Sequence, residues 1–485
     1  MASATFRSTM NSDSFAAARA DIERLVALRS RQRQCSISWG VAADGELVLT
    51  GAEAAAPDAL PTEHTVFRIA SMTKSFTASA ILLLRDRGLL RLDDVVADIA
   101  PEFAAVVGPT ADSPPVTVRH LLSMASGLAT VDVWADRHVD FSDDELDELL
   151  SHGATFAWAP QSHGEYSNLG FAMLGRLIPR VTGRSAQEFI TDNLLRPLAM
   201  DRTTWIQPHH DDWARPYDVV DDQRVADLPP LGDGAIAPMG GLWSCVSDLA
   251  RWVTWLGDAF PPRDDVDPGP LSRASRRDMQ QVHRAWPTEH VGPSGEGDEA
   301  IPERVDGGGY GFGLFVRHDT RFGHFVYHSG GLPGYGSNMR WLPGRGIAVI
   351  ALGNATYVPM SVMARRMMEI LDDHGLVPTA VRRPSAALLE AAERLAMLLS
   401  DWTDGMAKDL FADNVALDEP LARRSAKAES WTSAHGSLGV VDVAAVTPMR
   451  GRVTLRHTDG TERQFDLELS PHVPPRLQLY EEADG

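Results

Sequence analysis

Strand-like runs stand at both ends of a region whose middle reads as helix, and this order restricts the fold more than any other property of the chain. SISWGVAADGELVLTG (36–51) sets two alternating runs around the turn signal Ala-Asp-Gly and predicts a hairpin. Helical spacing precedes it over 14–30 and then dominates from Ser71 to about residue 257, most clearly at Glu145–Leu150, Gly170–Val181, Ala186–Leu195 and Asp248–Leu256. Strand signals return in YGFGLFVRH (310–318), RFGHFVYHSG (321–330) and NMRWLPGRGIAVIALGN (338–354), before a helix at Ser361–Leu371. One antiparallel sheet assembled from both ends, with a helical insertion, accounts for this order. Residues 259–309, rich in Pro, Gly, Asp and Arg, are expected to form a long surface excursion with one helical piece near 271–285.

At 485 residues the chain exceeds what one core organises, so more than one unit is expected. The first spans 1–375, with a sheet part at about 1–75 and 305–375 and a helical part at about 76–304. A linker at 376–385 leads to a small α+β domain over 386–485, where helical pieces through 435 precede the strand-like runs RGRVTLRHT, RQFDLELS and RLQLYEE. A net charge of −21 argues against nucleic acid and anionic membrane as partners. No stretch is long enough to span a bilayer, and the first thirty residues lack the apolar core of a signal peptide, so the expected location is the cytoplasm. Cys35 and Cys245 make no metal spacing and read as buried reduced thiols.

The 45 basic residues include only three lysines, and Lys74 is the sole one among the first 400 residues. Arginine keeps its proton in essentially any protein setting, whereas a buried lysine can lose its own and act as a base. In Ser71-Met72-Thr73-Lys74 the i, i+3 spacing puts serine and lysine on one face of a helix that ends before Gly88. Ser71 falls in the first turn, where the helix dipole favours a developing oxyanion. Desolvation would lower the lysine pKa and make it a competent base for the serine.

Two further elements carry chemistry. Tyr166-Ser167-Asn168 stands at the entry to a helix; the phenol can shuttle a proton if a nearby cation lowers its pKa, and the amide can meet a substrate carbonyl. His328-Ser329-Gly330-Gly331 closes a strand. An edge strand beside the Ser71 helix would offer the Gly331 N–H as one oxyanion donor and the Ser71 N–H as the other. A second H-x-G at His290-Val291-Gly292 lacks that strand context. His120 reads as structural, His209-His210 has no metal-site spacing, and H-E-x-x-H, G-x-S-x-G and a phosphate-binding loop are all missing, so neither metal nor cofactor is expected. Trp134, Trp158, Trp205 and Trp243 are expected mostly in the core, with one or two at a pocket.

Taken in order, Ser71-x-x-Lys74, Tyr166-x-Asn168 and His328-x-Gly330 resemble the motifs of the serine β-lactamase and penicillin-binding-protein superfamily. The branch resembled holds class C β-lactamases, D,D-carboxypeptidases, D-aminopeptidases and related esterases. The similarity continues through FRIASMTKSFTA, RGLLRLDDVVADI, VTVRHLLSMASGL, YSNLGFAMLGRLI, APMGGLWSCVSDLARW and YHSGGLPGYGS, and covers roughly residues 12–375. It implies an α+β fold of β-lactamase type: an antiparallel sheet flanked by helices, beside an all-α subdomain, with the site between them. It also implies acyl transfer through an acyl-serine. Ser71 would attack, Lys74 and Tyr166 would move the proton, Ser71 and Gly331 N–H would hold the oxyanion, and Asn168, His328, Ser329 and Gly330 would bind substrate.

One departure matters. Class C β-lactamases carry Lys-Thr-Gly where this chain has His328-Ser329-Gly330. Histidine is mostly neutral at pH 7, so recognition of a substrate carboxylate is weakened and antibiotic hydrolysis is not expected. His-x-Gly also occurs in carboxypeptidases and D-aminopeptidases of this branch. The leading expectation is hydrolysis of a small ester or amide, a D-amino-acid amide or peptide among the candidates. A transacylase and a catalytically silent binding protein are the alternatives. The C-terminal segment around LFADNVAL somewhat resembles the NTF2 type of α+β fold and would shape the pocket or mediate homo-oligomer contacts.

Overall fold

The computed structural model describes residues 12–291 and 304–483, apart from 210, 211, 222, 227, 229–231 and 381. His210 and Gly292 of the motifs above therefore lie outside the described residues. The chain divides into two compact units, Met1–Thr379 and Ala380–Gly485.

In the first unit, the helices that matter here are α1 (Ser12–Arg33), α2 (Thr73–Asp86), α3 (Asp132–Ala135), α4 (Asn168–Thr182), α5 (Val246–Gly257) and α6 (Met360–Asp373). Its main sheet has eight strands: β1 (Ile37–Ala43), β2 (Glu46–Glu53), β3 (Arg284–Val291), β4 (Arg304–Tyr310), β5 (Phe315–Asp319), β6 (Gly323–Leu332), β7 (Tyr335–Leu342) and β8 (Ile347–Gly353). Their order is β2-β1-β8-β7-β6-β5-β4-β3, and every neighbouring pair is antiparallel. The N-terminal hairpin thus joins the C-terminal strands through β1 and β8, with Ile37 opposite Gly353 and Ala43 opposite Ile347.

The strands β1 and β8 are buried on both faces, and the period of two sorts their residues. Ile37, Trp39 and Val41 of β1, with Ile347, Val349 and Ala351 of β8, pack in one core with Ile22 and Val26 of α1 and Met363, Met367 and Met368 of α6. Ala42 of β1, with Ala348, Ile350 and Leu352 of β8, joins a larger core that holds Val246, Leu249 and Val253 of α5 together with α2 and α4. Helices therefore cover both faces. The helix α2 has every residue from Thr73 to Leu84 buried, so it runs through the interior. A lysine placed in its first turn is therefore buried.

The sheet begins earlier in the chain than residue 305. The stretch expected as surface excursion contributes a helix at Arg273–Met279 and the hairpin partners β3 and β4, which extend the sheet beyond β5. Gly307, Gly308 and Gly309 within β4 and Pro287 within β3 hid the strand pattern. Two short strand pairs lie apart from the main sheet, Phe67–Arg68 with Trp243–Ser244 and Asp218–Val220 with Gln223–Val225.

The second unit runs α7 (Ala386–Ser400), α8 (Asp404–Leu410), α9 (Asp413–Asp418) and α10 (Leu421–His435), then β9 (Leu438–Thr447), β10 (Arg450–His457), β11 (Glu462–Leu469) and β12 (Leu477–Glu482). The four strands form an antiparallel meander in chain order. Leu388, Leu395 and Leu399 of α7 pack on Val453, Leu455, Phe465 and Leu467 as a core of its own. The strand β9 escaped the sequence reading, which found three runs. Among the described residues no helix is long and apolar enough to cross a membrane.

Candidate active site

Ser71 sits in a 3-10 turn, Ala70–Met72, that runs directly into α2, one turn ahead of the α-helix proper. Ala70 before it adopts φ 49°, a left-handed conformation that a residue with a Cβ takes only at a cost of order 1 kcal/mol. Two contacts hold this turn: Thr73 donates to the Ala70 carbonyl at 2.7 Å and Ser337 of β7 donates to the Ile69 carbonyl at 2.7 Å. Ser71 itself stays partly exposed at the floor of a cavity of about 390 Å³.

Lys74 is 0% exposed. Its Nζ is hydrogen-bonded to Ser71 Oγ at 3.0 Å, Asn168 Oδ1 at 2.5 Å and the Met239 carbonyl at 2.8 Å. The last two groups can only accept, so a neutral amine donates its two N–H to them and turns its lone pair toward the Ser71 hydroxyl. Burial pulls the ammonium pKa down to about 7, against the opposing pull of Asp132 and Asp136. The base form is thus accessible near neutrality.

Ser167 caps α4 by accepting from the Gly170 N–H at 3.3 Å, which places Asn168 in the first turn and Tyr166 just outside it. The Tyr166 hydroxyl shares the cavity with Ser71. Burial of that hydroxyl, with Asp132 and Asp136 near it, drives its pKa well above 10. The expectation of a phenol acidified by a cation is therefore corrected. Lys74 Nζ stands 4.9 Å from the Tyr166 ring centroid, over the ring, and the group is a neutral phenol able to pass a proton through its O–H.

The Asn168 amide is engaged at both ends, since Nδ2 donates to Asp132 Oδ1 at 2.8 Å while Oδ1 accepts from Lys74. His328 is 1% exposed and equally occupied. Its Nδ1 lies 2.6 Å from the Ser329 carbonyl, which must accept, so Nε2 accepts from the Tyr310 hydroxyl at 3.0 Å. Burial holds the His328 pKa near 3, and the imidazole is uncharged. Both side chains line the cavity, but protein partners already hold their polar atoms.

The strand β6 is interior to the sheet, not an edge strand. It pairs with β5 only over Gly323–Tyr327, however, whereas β7 accompanies it to Leu332. Residues 328–331 thus lack a strand partner on one side, a local edge inside a continuous sheet, and line the cavity together with Ser71. Close approach to the Ser71 turn depends on Gly330, where a Cβ would lie 2.3 Å from the Ile69 carbonyl and 2.4 Å from Ser337 Oγ. Gly330→Ala is accordingly expected to lower the unfolding free energy by about 1–3 kcal/mol, the usual cost of overpacking, read by urea denaturation. Wild-type stability in that variant would show that β6 and the turn can separate freely.

Several cavity residues escaped sequence reasoning: Asp132, Asp136, Phe315 and Tyr357. Asp132 and Asp136 stand four residues apart, one turn of helix, which is the only sequence signal they carry. Met239 contributes a carbonyl, for which side-chain identity says nothing. Trp205 and Trp243 are buried, Trp134 is half-buried and Trp158 exposed, and none of the four lines the cavity. His120 closes a capping box with Thr117, the structural task expected of it.

A family model described as Beta-lactamase matches residues 18–372, and the chain belongs to that family. Among individual proteins, the chain is similar to "Protein flp" of Staphylococcus aureus (strain MW2), at 29% identity over 308 residues, 61% of this chain and 55% of that protein. It is also similar to "Penicillin-binding protein 4*" of Bacillus subtilis (strain 168), at 27% identity over 303 residues, 57% of this chain and 58% of the other. The chain thus spans little more than half the length of these curated relatives. An octameric penicillin-binding protein homologue from Pyrococcus abyssi shares the fold, with a TM-score of 0.61 at 21% identity over 93% of this chain and 96% of the other.

Proposed function

We propose that this chain is a serine hydrolase that cleaves a small ester or amide through an acyl-enzyme at Ser71. The observation that carries the reading is the 3.0 Å contact between Ser71 Oγ and a Lys74 amine with no exposure to solvent, whose other two partners can only accept. Lys74 takes the hydroxyl proton as Oγ forms its bond to the carbonyl carbon. The N–H groups of Ser71 and Gly331 receive the oxyanion. Collapse breaks the bond to the leaving group, which takes its proton from the Tyr166 hydroxyl while Lys74 returns a proton to Tyr166. Water then repeats the sequence in reverse and frees the acid.

In this reading Asn168 and His328 act by positioning. Asn168 aims Lys74, and His328 seals the wall behind Tyr166 as an uncharged block. A neutral imidazole in the lysine position of class C β-lactamases favours substrates without a carboxylate next to the scissile bond, so esters, amides and small peptides are preferred over β-lactams. Rapid quenching with an activated ester is expected to give a mass increase of one acyl group on the peptide that contains Ser71. Turnover without such an adduct, or an adduct on another peptide, would overturn the reading. Supplying an amine as competing acceptor separates hydrolysis from transacylation by product identity.

A further inference from the structure

The Asn168 amide can meet Lys74 in two ways, and only one leaves a base beside Ser71. With Oδ1 forward it accepts an N–H of the amine, as it does at 2.5 Å, and the lone pair stays free for the Ser71 hydroxyl. With the amide turned over, Nδ2 would donate to that lone pair and the base would be spent on Asn168. The two ends of a carboxamide are almost equal in size, so shape alone does not choose between them.

The choice is made at the other end of the side chain. Nδ2 donates to Asp132 Oδ1 at 2.8 Å, and an ionised carboxylate can only accept, so a turned amide would set one acceptor against another. Asp132 opens α3, 36 residues before Asn168, and contact of that helix with α4 brings the two together. A line of hydrogen bonds therefore runs from Asp132 through Asn168 and Lys74 to Ser71, at 2.8, 2.5 and 3.0 Å. Asp136, one turn further on, stands outside this line, and its Oδ2 accepts from the Tyr357 hydroxyl at 2.9 Å.

Charge acts along the same line. The titratable groups that face Lys74 are Asp132 and Asp136 at α3, Tyr166 at the approach to α4 and His328 on β6. Tyr166 and His328 are uncharged, so the two carboxylates are what opposes the burial that pulls the Lys74 pKa down to about 7. Burial, with Glu165 nearby, pushes the Asp132 carboxyl up, and Lys74 holds it back. We propose that Asp132 is a positioning residue of the reaction: by fixing the Asn168 amide it keeps the Lys74 lone pair on Ser71. This inference rests on Ser71 as the nucleophile and Lys74 as its base.

The test is a double-mutant cycle on the full chain with p-nitrophenyl acetate as substrate. Asp132→Ala and Asn168→Ala should each lower kcat/KM by about 10- to 100-fold, the span of a hydrogen bond to a charged group, with the loss falling mainly on kcat. Together they should lose little more than Asn168→Ala alone, because the carboxylate then has no amide to orient. The nearly isosteric Asp132→Asn should move the rising limb of the pH profile to lower pH, since loss of a negative charge disfavours the ammonium and lowers the Lys74 pKa. Losses that multiply in the double variant, or an Asp132→Ala protein of wild-type activity, overturn the inference. Should Asp132→Ala not fold, the pH profile of Asp132→Asn decides: an unmoved limb shows that Asp132 and Lys74 are uncoupled and overturns it. Where wild-type Ser71 takes up a fluorophosphonate, these outcomes leave the nucleophile standing; failure of Ser71 to label overturns both.

Discussion

Ser71→Ala should abolish labelling by a fluorophosphonate and reduce ester turnover by about 10⁴-fold or more, the scale reached when a covalent nucleophile is removed. Ser337 and Ser329, which also line the cavity, cannot substitute. Ser337 Oγ is committed to the Ile69 carbonyl at 2.7 Å, and Ser329 Oγ accepts from Asn338 at 2.9 Å. Neither has the Lys74 amine against it. The two thiols are no alternative, since both are buried and burial pushes Cys35 up to about 12 and Cys245 up to about 11. Intact-mass spectrometry should show one adduct in the wild type and none in the variant. An adduct that survives the substitution would place the nucleophile elsewhere.

Lys74→Arg should be almost as inactive as Lys74→Ala, each losing about 10³-fold in kcat/KM, within the range for general-base catalysis. Charge is retained in the arginine variant, and so is donation to carbonyl acceptors; only the capacity to accept a proton disappears. The experiment therefore separates a base from a positive charge. The wild-type pH profile carries the same logic. The active form is the neutral amine, whose pKa lies at about 7, so activity should rise with pH and level off above neutrality. As pH falls through that value, Lys74 is protonated, its lone pair is lost and acylation stops. An arginine variant that keeps a tenth of wild-type activity, or a wild-type profile flat from pH 5 to 8, would refute the base assignment.

The parts of the site that could be read beforehand are those encoded at short range. Ser71 and Lys74 share a face because they are three residues apart on a helical segment, and α2 is apolar enough to bury whatever stands in its first turn. Ser167 announces the start of α4 and so locates Tyr166 and Asn168. The hairpin β1–β2 is legible from its turn, and the meeting of early and late strands of the first unit in one sheet from the order of elements. Less legible were β3 and β4, because Gly-rich and Pro-containing strands lack the alternation by which strands are recognised.

The chain's own order of residues determined the family motifs, the α+β architecture and the lone lysine beside a serine, since each depends on spacing along a few turns of backbone or on the succession of elements. Tertiary structure alone decided what surrounds them. It brought Met239, 165 residues away in sequence, to Lys74, engaged both nitrogens of His328, left Tyr166 a neutral phenol and set Asp132 and Asp136 in the wall of the cavity. These outcomes follow from packing between distant segments and from the water that packing excludes. Burial and partner choice set the protonation state of each group, and neither is a property of the residue or its neighbours in sequence.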